Sequence, residues 1–352
     1  MTFLHLIVAS LGAFFLSLLF TPLIMKFCQK KNLLDQPDGN RKIHSTPKSR
    51  LGGVAVAGSF FISLLVFRFF LSYPVSFWYI LGLAAIFLTG FFDDIFNLPP
   101  WSKVLGLGIG TLILIFDGVV IEFITLPWNV LWYIGIWGIP FTFFWILGIT
   151  NSLNLIDGMD GLSSGIAAIA ACTLGIIALQ HGRWESALIS FLLMGSSIGF
   201  LPYNFPPAKI FIGDGGALFF GGVLATVSVE GALKSATTFT LAVPILILGI
   251  PILDTFFAIV RRKKNKLPIT KPDRGHLHHR LLEKGLTQRE VILVVYLISA
   301  SLSILAILID RFLVNSTYSL LLTLVLFYVS WKWGKHLGVT ELSCGTQSTK
   351  KV

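Results

Sequence analysis

Apolar runs long enough to cross a bilayer as helices recur from one end of this chain to the other. The first, Phe3 to Phe20, contains no Lys, Arg, Asp or Glu. About 20 apolar residues span the hydrocarbon core, and a chain inside lipid must satisfy its backbone polar groups internally, as a helix does. The 352 residues are 55% hydrophobic and only 12% charged, where a soluble domain carries about 25% charged residues. Mean hydropathy is +0.82. The short alternating segments of a membrane β-barrel are not seen. The fold class is therefore all-α, a polytopic membrane protein. Cys28, Cys172 and Cys344 are too scattered for a disulfide framework or a metal cluster.

The pattern predicts eleven spans, at roughly 3–26, 52–71, 75–92, 103–118, 128–150, 162–180, 185–202, 216–230, 237–260, 290–309 and 314–334. The count is ten if the short, glycine-rich 216–230 run does not cross. An outside N-terminus leaves only Arg68, Arg183, Lys234 and Arg311 of the 27 Lys and Arg on the outer side. That is the positive-inside distribution. The net charge of +10 thus belongs to a surface facing anionic lipid, and no nucleic-acid partner is expected. Residues 1–334 form one helical domain with inner loops at 27–51, 92–103, 150–162, 203–216 and 261–289, followed by a polar tail, 335–352.

This topology, set from basic residues alone, puts Asp93, Asp94, Asp157, Asp160 and Asp214 on the inner face. Ionisable groups in a membrane protein are costly and mark functional sites by default. In GFFDDIFN, residues 90–97, adjacent carboxylates end a span. They repel, so a divalent ion or basic side chains should hold them, and oxygen ligands suit a hard ion. In NSLNLIDGMDGLSSG, residues 151–165, Asn151, Asn154, Asp157 and Asp160 recur every third position. On a helix the first three share a broad face. Gly158 is a stop signal, and Asp160 is placed to N-cap the next span.

In NFPPAKIFIGDGGALFFGG, residues 204–222, Asp214 sits among glycines at the start of a span. Two readings compete there: backbone amides cradling a phosphate, or glycines serving helix packing. The loop 261–289 holds RRKKNK and then KPDRGHLHHRLLEKGL. The basic run reads as lipid-facing. Residues 275–285 read as an amphipathic helix suited to the membrane surface, stopped by Gly285. Arg274, His276, His278, His279 and Arg280 crowd its start, suiting phosphate and sugar contacts better than zinc, which no thiol accompanies. The segment RKIHSTPKSRLGG, residues 41–53, reads alone as an ordinary juxtamembrane loop.

A carboxylate cluster, a glycine-rich helix start and a His/Arg segment on one membrane face suit a diphosphate substrate, a divalent ion and a lipid partner, hence phosphoryl transfer. The ordered set FFDDIFN, NSLNLIDGMDGLSSG, NFPPAKIFIGDGGA and DRGHLHHRL resembles the polyprenyl-phosphate N-acetylhexosamine-1-phosphate transferases over residues 41 to 289.

The resemblance implies that UDP-N-acetylglucosamine and undecaprenyl phosphate give undecaprenyl-diphosphate-GlcNAc and UMP, in the bacterial cytoplasmic membrane with the site facing the cytoplasm. It implies Mg²⁺, or Mn²⁺ in its place, and a homodimer as in related enzymes. By motif position, Asp214 resembles the principal metal ligand, with Asp93 and Asp94 beside the metal and acceptor phosphate. Asp93 matches the family's proposed base. Asn154, Asp157, Gly158 and Asp160 resemble the nucleoside and active-site loop. Phe211 resembles the aromatic that stacks on uracil, beside Asn204 and Gly213. His278 and His279 resemble contacts near the diphosphate, joined by Arg274, His276 and Arg280. Lys42, His44 and the Gly52–Gly53 pair match the first inner loop. The HLHH pattern, where the phospho-MurNAc-pentapeptide branch shows consecutive histidines, points to the GlcNAc branch. That other branch is the alternative within the family, and a secondary transporter the alternative outside it.

Overall fold

The computed structural model describes residues 2–34, 47–70, 75–126, 130–233, 242–268 and 275–312, with residues 321, 324–325, 328–329 and 331–332 beyond. It is a bundle of helices. They are α1 (Phe3–Lys30), α2 (Gly52–Phe70), α3 (Phe77–Phe96), α4 (Pro100–Phe116), α5 (Gly138–Ile156), α6 (Leu162–Gln180), α7 (Trp184–Asn204), α8 (Gly213–Val227), α9 (Ala242–Ile247), α10 (Gly249–Lys264), α11 (Leu277–Glu283) and α12 (Gln288–Phe312).

Among the described residues, seven helices are long and apolar enough to cross a membrane: α1, α2, α3, α5 with the turn before it, α6, α7 and α12. The runs expected at 103–118 and 216–230 are helical too, as the shorter α4 and α8. The run expected at 237–260 is divided into α9 and α10 at Leu248. Pro251 then falls in the first turn of α10, where a missing N–H breaks no bond within the helix. The predicted span 314–334 and the tail 335–352 fall largely outside the described residues.

One boundary is corrected. The run expected to begin a helix at 128 instead supplies the second strand of a hairpin, β1 (Phe123–Leu126) with β2 (Val130–Tyr133). β-branched and aromatic residues dominate both strands, as pleated pairing favours. The Phe123 and Tyr133 rings, directly opposite, lie 5.2 Å apart.

The bundle is built around α8, in which every residue but Asp214 is buried. Glycine lets three helices reach it. A Cβ at Gly53 of α2 would fall 2.3 Å from the Gly216 nitrogen, one at Gly90 of α3 2.6 Å from the Asp214 carbonyl, and one at Gly221 of α8 2.5 Å from Thr150 Cα of α5. The packing reading of these glycines therefore holds, and it brings the ends of α2, α3 and α5 to the start of α8. At the opposite end, Asp117, Glu185, Glu230 and Tyr79 line a cavity of about 200 Å³. Asp117 is thus one wall of a cavity.

Candidate active site

Consecutive residues on a helix point about 100° apart, and α3 uses this to send its paired aspartates to different partners. Asp93, 7% exposed, pairs with the Lys103 ammonium of α4 and accepts from the Leu98 amide at 2.7 Å. Lys103 also reaches Asp214 Oδ2 at 2.7 Å. One ammonium therefore joins two carboxylates from distant parts of the chain. Asn154 completes the group, its Nδ2 donating to Asp214 Oδ1 at 3.1 Å.

Asp94 turns to the start of α8. It accepts from the Asp214 amide at 2.8 Å and the Gly215 amide at 2.9 Å. These are unpaired N-terminal donors of a helix, which favour an anion. The expected phosphate cradle is thus filled by an internal carboxylate. Gly213 makes this approach feasible: its φ is +73, and a Cβ there would lie 1.9 Å from the Arg50 carbonyl and 2.6 Å from Asp94 Oδ2.

The register of residues 151–160 sorts four polar side chains into four roles. Asn151 is exposed and donates to the Leu147 carbonyl of its own helix. Asn154 faces Asp214. Asp157 caps the C-terminal end of α5 and accepts from Ser163 Oγ. Burial pushes the Asp157 carboxyl well above the usual range; the nearby Asp214, Asp94 and Asp160 carboxylates add to this, and the Ser163 hydroxyl opposes it. Asp160 does not cap α6 as expected. Gly161 takes the N-cap position at φ +77, and Asp160 reaches across to accept from the Ala208 amide at 2.9 Å. The amide of Gly161 goes instead to Asn204 Oδ1, at 3.1 Å.

Asn204, expected to touch substrate, is 2% exposed. Its oxygen also accepts from Ser164 at 2.8 Å, and its Nδ2 donates to the Ile210 carbonyl at 3.0 Å. It ties the 204–213 loop to α6. Phe211 lies in an extended stretch: its amide donates to the Ser49 carbonyl at 2.9 Å, and its carbonyl accepts from Gly52 at 3.0 Å. The Lys48 ammonium lies 5.2 Å from the Phe211 ring centroid. The end of the apparently ordinary first loop is therefore part of the site.

The histidine segment forms α11, with Gly285 at φ +91 beyond its end, as predicted. Its apolar side chains Leu277, Leu281 and Leu282 pack against the core. His278 is 2% exposed with neither ring nitrogen hydrogen-bonded, and its Nε2 would lie 2.8 Å from a Cβ at Gly158. Burial lowers its pKa to about 3; the neighbouring His279 adds to this, Asp254 opposes it, and His276 adds a smaller lowering effect. The His278 and His279 ring centroids are 4.1 Å apart. Arg280 pairs with Glu283 at 3.1 Å. His276 is buried against Asp254. In the basic run, Lys263, Lys264 and Lys266 are exposed, but Arg261 and Arg262 are 0% and 6% exposed, so two of its five cations are interior. Lys42, His44 and Arg274 lie outside the described residues.

Sequence reading missed Lys103, Lys48, Ser163 and Asp254. Of these, Lys103 and Asp254 left a signal, as a lone cation at the start of an apolar helix and a lone carboxylate within the apolar run 237–260. The divalent ion implied by the motifs can be tested against the donors present. Among the described residues no three His, Cys, Asp or Glu side chains form a ready ligand set. Asp93 and Asp214 nevertheless share one positive charge, that of Lys103, and Asn154 joins them. This oxygen-rich pair suits a hard ion.

The comparisons agree with the motifs. The model of glycosyl transferase family 4 matches residues 76–232. A probable undecaprenyl-phosphate N-acetylglucosaminyl 1-phosphate transferase of Bacillus subtilis is 37% identical over 325 residues, 92% of this chain and 90% of the relative. A decaprenyl-phosphate N-acetylglucosaminephosphotransferase of Mycobacterium tuberculosis is 32% identical, over 73% of this chain and 71% of its own. A phospho-N-acetylmuramoyl-pentapeptide-transferase of Levilactobacillus brevis is 30% identical, over 64% and 75%. With carboxylates, lysine and histidines gathered at one end of its bundle, the chain belongs to glycosyl transferase family 4, the polyprenyl-phosphate N-acetylhexosamine-1-phosphate transferases.

Proposed function

We propose that the protein transfers GlcNAc-1-phosphate from UDP-GlcNAc to undecaprenyl phosphate, with Mg²⁺, at the cytoplasmic face of the bacterial cytoplasmic membrane. An oxygen of the lipid phosphate bonds to the phosphorus that carries the sugar. The bond from that phosphorus to the bridging oxygen of UMP breaks, and UMP leaves with the electron pair. The acceptor needs little deprotonation, since a phosphate monoester has its second pKa near about 6. The difficulty is bringing two anions together, which is a matter of positioning and charge.

The observation that carries the reading is the Asp93–Lys103–Asp214 group. Asp93 and Asp214 would hold the metal, with Asn154 beside them. Mg²⁺ would neutralise charge on the diphosphate. Lys103 holds a positive charge at the same point, and Asp94 fixes Asp214 by binding its amide. Asp157, at the end of α5 and accepting from Ser163, holds the turn that carries Gly158. His278, buried and without hydrogen-bond partners, offers ring nitrogens next to the Gly158 turn. The GlcNAc donor is favoured by Leu277, which interrupts the histidines and whose side chain packs on the core.

The test is UMP release by the purified enzyme, with donors compared side by side. Release from UDP-GlcNAc that requires both undecaprenyl phosphate and Mg²⁺ supports the proposal. Release only from UDP-MurNAc-pentapeptide moves the protein to the other branch, and release from neither rejects the reading.

A further inference from the structure

The geometry points to Asp254 as the positioning residue of the histidine segment. Asp254 lies on α10, outside the motifs that carry the family resemblance, and is 3% exposed. Its two oxygens are both committed to this segment: Oδ2 meets His276 Nδ1 at 2.7 Å, and Oδ1 accepts from the Leu277 amide at 2.8 Å. A buried carboxylate without such partners would be costly, so this pairing is structurally enforced.

The same face of α10 continues the contact. Asp254, Ala258 and Arg261 recur at helical spacing, all buried, and a Cβ on Gly275 would lie 2.4 Å from Arg261 Cζ. The segment 275–277 therefore lies directly along α10. Asp254 fixes its end, and the missing side chain of Gly275 lets it close on the Arg261 guanidinium.

Two consequences reach the site. An ionised carboxylate only accepts, so Nδ1 of His276 carries a proton, and the character of the ring is set from α10. The His276 ring in turn lies parallel to that of His278, with a 5° interplanar angle and centroids 5.8 Å apart. His278 abuts Gly158, in the turn between Asp157 and Asp160. Asp254 thus acts on the reaction through His276 and His278 without touching substrate. This role in catalysis rests on the proposed transferase activity; the positioning itself does not.

Asp254→Asn keeps the shape but offers an amide, whose N–H favours the opposite His276 tautomer. Hydrogen–deuterium exchange on the full-length protein, without substrate, should become faster over residues 275–283 and stay unchanged in α6 and α8. Unchanged exchange at 275–283 would overturn the positioning. UMP release should fall about 10- to 100-fold. In a His276→Asn background, Asp254→Asn should cost less than about twofold more, because the two act as one unit. Losses that multiply would overturn action through His276. Should Asp254→Asn fail to purify, His276→Asn probes the same contact, and faster exchange at 275–283 is again expected. If the wild-type protein releases no UMP from any donor, the transferase reading falls while the exchange result still decides the positioning.

Discussion

The Lys103 ammonium donates to Asp214 Oδ2 at 2.7 Å, across 111 positions of sequence. It also pairs with Asp93, so two carboxylates at the ends of different helices share one cation. That charge relieves their mutual repulsion.

Replacing Lys103 with Met should therefore do two things at once. The carboxylate pair should bind a divalent ion more readily, lowering the Mg²⁺ concentration for half-maximal activity. The rate at saturating Mg²⁺ should fall by about 10²–10³, as when one preorganised charge-stabilising donor is removed. A Mg²⁺ titration of UMP release checks both; a higher Mg²⁺ requirement would argue against shared occupancy.

Gly213→Ala should abolish activity and lower the thermal midpoint in detergent, because its Cβ would meet the Arg50 carbonyl at 1.9 Å and the backbone holds φ +73. Gly12→Ala is the control. It lies in α1 with nothing within 4 Å of the added Cβ, and an interior helix position gains up to about 1 kcal/mol from Gly to Ala. Equal behaviour of the two variants would contradict the packing described around α8.

His278 makes stability depend on pH. Its folded pKa, lowered to about 3 by burial, lies below the unfolded value near about 6.5. Between these values the unfolded chain binds a proton that the folded one does not, so stability falls as the pH drops below about 6.5. Thermal unfolding of His278→Gln should show a weaker loss between pH 7 and 5 than the wild type. An identical loss would mean that His278 is not held neutral.

The sequence made the carboxylates legible because an apolar chain isolates them. Asp93, Asp157 and Asp214 stand out for the same reason that they are costly. Lys103 and Asp254 were obscure because their significance lies in partners 111 and 22 positions away. Asp160 was misread by a local rule: its position favours an N-cap, but the tertiary contact with Ala208 wins and Gly161 takes the cap. The glycines around Asp214 carried two meanings that only packing could separate. Helix contacts claimed them, and Asp94 claimed the amides. The hairpin at Phe123–Tyr133 was hidden because an apolar strand and the start of an apolar helix have the same composition.

The central claim is that sugar and phosphate move together from nucleotide to lipid. UDP-GlcNAc labelled with ³²P on the sugar-linked phosphate tests it directly, in one reaction with undecaprenyl phosphate and Mg²⁺. The account predicts label in the lipid fraction, one UMP released per labelled lipid, and loss of both in Asp214→Asn. Label left in released UDP, or in water-soluble GlcNAc-phosphate, would contradict it.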